Sequence, residues 1–123
     1  MQHRPVFLNL FQIRFPLTAI VSILHRISGV LVFLFIPAIL FVFQKSLASQ
    51  ESFVDTKKMF GQLSIKIIIF ITLAALVYHI IAGLRHIVMD LGFADSKKAG
   101  KIGSIFVLLF STLIISLLGI RLW

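Results

Sequence analysis

The sequence predicts an all-α integral membrane protein whose three transmembrane helices form part of a multi-subunit helical bundle. Of its 123 residues 59% are hydrophobic and 13% are charged, and the mean hydropathy is +1.09. Soluble domains are on average roughly half apolar and a quarter charged. The apolar residues fall into three segments, each long enough to cross a bilayer at about 20 residues per span. Little chain remains outside them, so any water-soluble chemistry belongs to a partner.

The whole chain, residues 1–123, reads as a single membrane-anchor domain. Its predicted elements are an N-terminal segment (1–21), a first membrane helix (22–44), a connection (45–62), a second membrane helix (63–89), a further connection (90–102) and a third membrane helix (103–120). Pro37 lies inside the first helix, where membrane helices tolerate proline. The polar connection after that helix is expected to contain a short surface helix. Arg121 and Trp123 end the chain as an interfacial anchor.

Charge and cysteine content narrow the function classes. The formal net charge is +8, but the cations are scattered at helix ends without a basic block, so we expect no nucleic-acid partner. The chain has no cysteine, which excludes disulfides, thiolate-bound iron–sulfur clusters and cysteine nucleophiles within it. The N-terminal side of the predicted topology holds a slight excess of lysine and arginine. This bias predicts a cytoplasmic N-terminus.

Two clusters of ionisable residues lie in the predicted spans. His79, Gly83, His86 and Asp90 recur at helical spacing and share one stripe of the second helix. Ionisable residues are costly inside a membrane, so this stripe indicates a functional site. The second cluster lies on the first helix at a similar depth.

In that cluster Ser22, Arg26 and Gly29 share a stripe, and His25 lies beside it. A hydroxyl, a guanidinium and an imidazole can therefore converge on one ligand. Gly29 and Gly83 would let a second backbone or a flat cofactor approach closely.

His79 is the strongest candidate for a metal ligand. The helical rise places it roughly 10 Å deeper than His86, so the two cannot bind one ion. A deep imidazole suits an axial haem ligand, with the propionates reaching Arg26, His86, Arg85 and His25 nearer the interface. Because His25 is estimated to be shallower than His79, the second axial ligand is expected from another chain.

Ordinary structural roles remain open for each of these residues. A single histidine in a membrane helix, such as His79, is usually a hydrogen-bonded interior residue. Arg85 and His86 can serve as a cytoplasmic anchor at the helix end. Membrane serines such as Ser22 commonly donate a hydrogen bond to a carbonyl of their own helix.

Three stretches carry a family resemblance: Arg4-Pro5-Val6, Ser22 to Gly29, and His79 to Asp90. Together with the three-span plan, they resemble the cytochrome b membrane-anchor subunit of succinate dehydrogenase (succinate:quinone oxidoreductase, complex II), in its bacterial form. The resemblance covers the whole chain. It implies that His79 is the axial ligand of haem b, and that the other axial ligand comes from a second small membrane subunit.

The resemblance also implies a ubiquinone-reduction site that includes Ser22 and Arg26, and haem-propionate contacts from Arg26, His25 and His86. The implied partners are the second haem-ligating membrane subunit, an iron–sulfur subunit, a flavoprotein subunit and membrane lipids. The implied location is the bacterial inner membrane, and the chain would be non-catalytic alone. The alternatives are a haem-free structural anchor, a fumarate-reductase counterpart, and a small transporter subunit.

Overall fold

The computed structural model describes residues 14–93 and 96–123, which form four helices joined by short connections. They are α1 (Leu17–Ala48), α2 (Gln50–Met59), α3 (Leu63–Asp90) and α4 (Lys97–Leu122). Three of them, α1, α3 and α4, are long and apolar enough to cross a membrane. The predicted class, an all-α membrane protein with three spans, is confirmed. The first thirteen residues of the predicted N-terminal segment, with the Arg4-Pro5-Val6 motif, lie outside the described residues.

The helices extend beyond the apolar segments that predict them. α1 begins at Leu17 rather than residue 22, directly after Pro16, whose extended backbone forms the N-cap. α4 begins at Lys97 rather than residue 103, because the Ser96 hydroxyl accepts a hydrogen bond from the backbone N–H of Ala99 at 3.1 Å. Hydropathy marks the part of a helix that lipid surrounds, whereas capping decides where the helix begins.

The connection between the first two spans contains the expected short surface helix, α2. Its N-cap is Ser49, whose hydroxyl accepts from the backbone N–H of Ser52 at 3.1 Å. The Ser52 hydroxyl in turn donates to the carbonyl of Lys45 at 2.7 Å, near the end of α1. Thr56 is buried where α2 packs against α1. The helix is therefore fixed to the bundle rather than free on its surface.

α3 packs against both α1 and α4, which also contact each other. The centre of this three-helix packing is Val21 of α1, Ala82 of α3 and Val107 of α4, all buried. The large apolar side chains point outward instead, with Phe33 71% exposed and Ile120 78% exposed. Small residues between helices and large ones outside are typical of membrane bundles, because lipid solvates the outer surface.

Candidate functional site

The candidate site lies at the α1–α3 interface, where each helix places an imidazole against a glycine of the other. A Cβ atom on Gly29 would lie 2.9 Å from Cε1 of His79, and one on Gly83 would lie 3.4 Å from Nε2 of His25. Both helices carry histidine and glycine four residues apart, which puts them on one helix face. Each helix therefore supplies one imidazole ring and one glycine to the same interface, and each glycine leaves space for the ring of the other helix.

His79 is held in one orientation by α1. Its Nδ1 lies 3.2 Å from the carbonyl oxygen of His25 and 3.3 Å from the hydroxyl of Ser28, which itself donates to that carbonyl at 2.8 Å. Since a carbonyl can only accept, Nδ1 carries the proton in this arrangement. Nε2 then has a free lone pair, and it makes no hydrogen bond within the described part of the chain. An imidazole whose Nδ1–H is held by a backbone carbonyl is the usual form of a metal ligand.

His25 lies beside His79, with its ring between those of His79 and His86. The rings of His25 and His79 stack with centroids 4.4 Å apart and an angle of 21°, and His25 is also 5.0 Å from the ring of His86. His86 lies roughly 10 Å nearer the interface than His79, so a ring between the two is shallower than His79, in agreement with the sequence-based depth estimate. Stacked rings leave no space for a porphyrin between them, so this geometry does not make His25 the opposite axial ligand.

Two further observations bear on what this interface could bind. Nε2 of His25 is buried and has no hydrogen-bond partner among residues 14–93 and 96–123, a situation that costs about 1–3 kcal/mol unless a partner is provided. Within the same range, no group of three or more His, Cys, Asp or Glu residues could hold a metal ion. An iron bound by His79 would therefore need its remaining ligands from outside these described residues.

Arg26 and Ser22 lie on another part of α1. Arg26 is exposed and Ser22 is partly exposed, so neither is enclosed by α3 or α4. A guanidinium on a membrane span is costly when it faces lipid, so the surface around Arg26 needs a polar partner. Next to Ser22, the carbonyl of Val21 accepts a hydrogen bond from the hydroxyl of Tyr78 at 3.2 Å.

Arg85 faces α4 instead of the imidazoles. Its Nη2 donates to the carbonyl of Gly100 at 3.2 Å, and its Nε lies 3.2 Å from where a Cβ on Gly103 would be. The structure thus brings together His25, His79 and His86 and leaves Arg85 on the other side of α3. Asp90 is exposed at the end of α3 and forms no ion pair with Arg85.

Sequence reasoning missed Ser28 and Tyr78 as contributors to this interface. Ser28 lies three residues after His25 and Tyr78 directly precedes His79, so their positions beside the two histidines were the available signals. Both hydroxyls bond backbone carbonyls of α1. The order of residue types along the chain does not indicate which hydroxyl forms a hydrogen bond with a neighbouring helix.

Comparison with known proteins assigns the chain to a family. Residues 1–118 match the family model described as succinate dehydrogenase/fumarate reductase transmembrane subunit. The chain belongs to this family. A similar protein, the succinate dehydrogenase cytochrome b556 subunit of Coxiella burnetii (strain RSA 493 / Nine Mile phase I), is 40% identical over 121 residues, which cover 98% of this chain and 97% of the relative. The resemblance to the succinate dehydrogenase cytochrome b subunits is confirmed.

Membership in the succinate dehydrogenase/fumarate reductase transmembrane subunits accounts for the architecture. Such a subunit works with the other subunits of its complex, which explains why residues 14–93 and 96–123 consist mostly of membrane helices and their connections. The polar α1–α3 interface is the part of this subunit that anchoring alone does not require.

Proposed function

We propose that this chain binds haem b jointly with a second small membrane subunit and helps to form the site where ubiquinone is reduced by electrons from succinate oxidation. The observation that carries the proposal is the orientation of His79, whose Nδ1 is held by the His25 carbonyl and whose Nε2 is left for iron. The similar Coxiella protein is named a cytochrome b556 subunit, which supports a haem role.

His79 would hold the haem iron through Nε2, and Gly29 would keep the ring close to α1. When bound, haem supplies a one-electron carrier whose potential its surroundings tune. His25 and His86 are the preferred propionate partners because their rings lie beside each other near His79. Arg26 is a third candidate, and Arg85 is the weakest because its guanidinium already bonds α4.

Ser22 and Arg26 would hold the quinone. Reduction of a quinone adds two electrons and two protons, and negative charge develops on its carbonyl oxygens. The Ser22 hydroxyl can donate a hydrogen bond to one oxygen, and the Arg26 guanidinium can stabilise the developing charge. Arg26 does not deprotonate readily, so the protons must come from water or from partner groups.

The proposed partners are a second haem-ligating membrane subunit, an iron–sulfur subunit that delivers electrons and a flavoprotein subunit that oxidises succinate. We place the chain in the bacterial inner membrane with its N-terminus in the cytoplasm. The family description names fumarate reductase as well, so a complex that runs in the opposite direction is the second candidate.

The haem proposal is tested by reduced-minus-oxidised difference spectra of the purified complex. We expect a low-spin b-type signal in the wild type, its loss in His79→Ala, and its retention in the control Ile80→Ala, an exposed residue next to His79 on α3. An assembled His79→Ala complex with an unchanged signal would show that His79 is not the ligand. A well-assembled wild type without any signal would favour a haem-free structural anchor.

The quinone proposal is tested with Arg26→Ala. We expect quinone reduction to fall about 100-fold, the usual cost of removing a group that stabilises developing charge, while succinate oxidation by a soluble artificial acceptor is unchanged. Arg121→Ala, a charge removed at the end of α4, is the matched control. Equal effects of the two substitutions would remove Arg26 from the quinone site.

A further inference from the structure

A cleft opens at the end of the bundle where α1 and α4 begin and α3 ends. Its volume is about 760 Å³. Its walls combine apolar and polar side chains from all three membrane helices, including Leu17, Thr18, Arg85, Met89, Lys97 and Lys101. It lies on the α4 side of α3, away from the imidazole rings, and none of its residues except Arg85 has a place in the proposed function.

Three of the described residues that line the cleft are cations. Arg85, Lys97 and Lys101 line it, and none of its described lining residues is acidic. The first turns of α1 and α4, which both contribute to the walls, contain no acidic residue either. Three cations around one space repel each other, so an anion between them would lower the energy of the folded chain.

Arg85 is positioned before any ligand arrives. Its Nη2 bonds the Gly100 carbonyl at 3.2 Å, and its side chain lies close against Gly103. Its Nε is buried and has no hydrogen-bond partner within the described ranges. A guanidinium has five N–H donors in a rigid fork that matches carboxylate and phosphate oxygens, so several donors remain to be used.

We propose that this cleft binds a phosphate group, either as the headgroup of an anionic phospholipid or as free phosphate. Arg85 supplies a planar fork, while Lys97 and Lys101 supply two mobile point charges. Leu17 and Met89 provide an apolar wall beside these cations, which suits a lipid whose headgroup and acyl chains lie side by side. Basic pockets between membrane helices are typical binding places for lipid headgroups.

The test uses the whole complex, purified in a neutral detergent and stripped of bound lipid. Binding of dioctanoyl phosphatidylglycerol, inorganic phosphate and zwitterionic dioctanoyl phosphatidylcholine is measured separately, by native mass spectrometry and titration. The variants are Lys97→Gln and Lys101→Gln, both exposed lysines that the fold does not require. The matched control is Lys98→Gln, because Lys98 is exposed on the same helix turn and does not line the cleft.

We expect phosphatidylglycerol to bind more tightly than phosphatidylcholine, and each cleft lysine substitution to weaken binding about fivefold, with Lys98→Gln unchanged. Binding of phosphatidylglycerol alone would identify a lipid site, and equal binding of inorganic phosphate would identify a free-phosphate site. The proposal is overturned if neither probe binds, or if Lys98→Gln weakens binding as much as Lys97→Gln. It is also overturned if Lys97→Gln shifts the haem spectrum, because the cations would then serve the propionates.

Discussion

The two faces of α3 are built differently. Towards α1, hydrogen bonds cross between helices: Tyr78 donates to the Val21 carbonyl, and Nδ1 of His79 reaches the His25 carbonyl. Towards α4, the buried hydroxyls of Ser104 and Ser111 donate to carbonyls of their own helix, at 2.9 and 2.6 Å. Hydrogen bonds also cross to α4, from Arg85 to the Gly100 carbonyl and from Lys66 to the Leu122 carbonyl, but these lie near the helix ends, and small residues pack the interface between them.

The comparison separates the contacts that stabilise the subunit from those that orient the candidate haem ligand. A serine that bonds its own helix acts as a small packing residue and lets two helices approach. A histidine bonded across an interface has a fixed ring orientation that packing alone would not require. We therefore expect substitutions on the α4 side to change assembly, and substitutions on the α1 side to change the haem.

Overpacking the centre of the bundle should have the largest effect on stability. Ala82 is 0% exposed, so Ala82→Leu would force the helices apart at a cost of about 3 kcal/mol. The thermal unfolding midpoint and yield of the complex should fall, and because Ala82 also packs against Val21 of α1, the haem content of any complex that assembles should fall with them. Ala48→Leu, on the exposed end of α1, is the control. An unfolding midpoint in Ala82→Leu equal to that of Ala48→Leu would show that the centre of the bundle accommodates a larger side chain.

Gly29→Ala should disturb the haem more than the fold. The added Cβ would lie 2.9 Å from Cε1 of His79, which forces the ring to move at a cost of about 1–2 kcal/mol. Haem occupancy, measured as haem per complex, should drop markedly. Gly83→Ala is the reciprocal control, because its Cβ would meet His25 at an ordinary 3.4 Å. Equal haem loss in both variants would contradict the close contact at Gly29.

Tyr78→Phe removes one hydrogen bond that crosses to α1. The loss should lower stability by about 0.6 kcal/mol, the average for such bonds in membranes, and should raise the KM for quinone because the bond holds the turn that carries Ser22. Thr72→Val is the comparison on the same helix, since the Thr72 hydroxyl donates to its own Ile68 carbonyl. If both variants left the KM unchanged, Tyr78 would have a packing role only.

Ser28→Ala and Ser111→Ala should have the smallest effects on stability and on the haem. Both hydroxyls are buried and donate to a carbonyl of their own helix, but only that of Ser28 also lies near the His79 ring. Stability should change by less than about 0.5 kcal/mol in each. The haem midpoint potential should shift in Ser28→Ala alone, because a hydrogen-bond partner of the ligating imidazole is lost. An equal shift of the haem midpoint potential in Ser111→Ala would contradict the proposed difference between the two faces of α3.

The sequence predicts the fold well because the apolar segments and their lengths are strong signals in a membrane protein. It predicts the start of α4 poorly: three of the five residues from Lys97 to Lys101 are lysines, and only the Ser96 cap shows that this stretch is helical. The second span was a simpler case, since α3 ends at Asp90, next to the predicted boundary at residue 89.

The candidate site was predictable in its members and not in its geometry. Helical periodicity put His79, Gly83 and His86 on one stripe, and the structure turns all three towards His25 or its helix. The relative shift of α1 and α3 decides which imidazole ring meets which glycine, and no periodicity within one helix contains that shift. Arg85 shows the same limit, because its neighbours on α4 are distant in sequence.

The exchange of histidine and glycine between α1 and α3 also fixes how the two helices slide against each other. A shift of one helical turn would bring each imidazole ring against a larger side chain instead of a glycine, so both ring–glycine contacts would be lost together. The alignment of the two spans is thus set by contacts inside the membrane, and it does not depend on the length of the connection through α2. Insertions in that connection should leave the imidazole cluster intact.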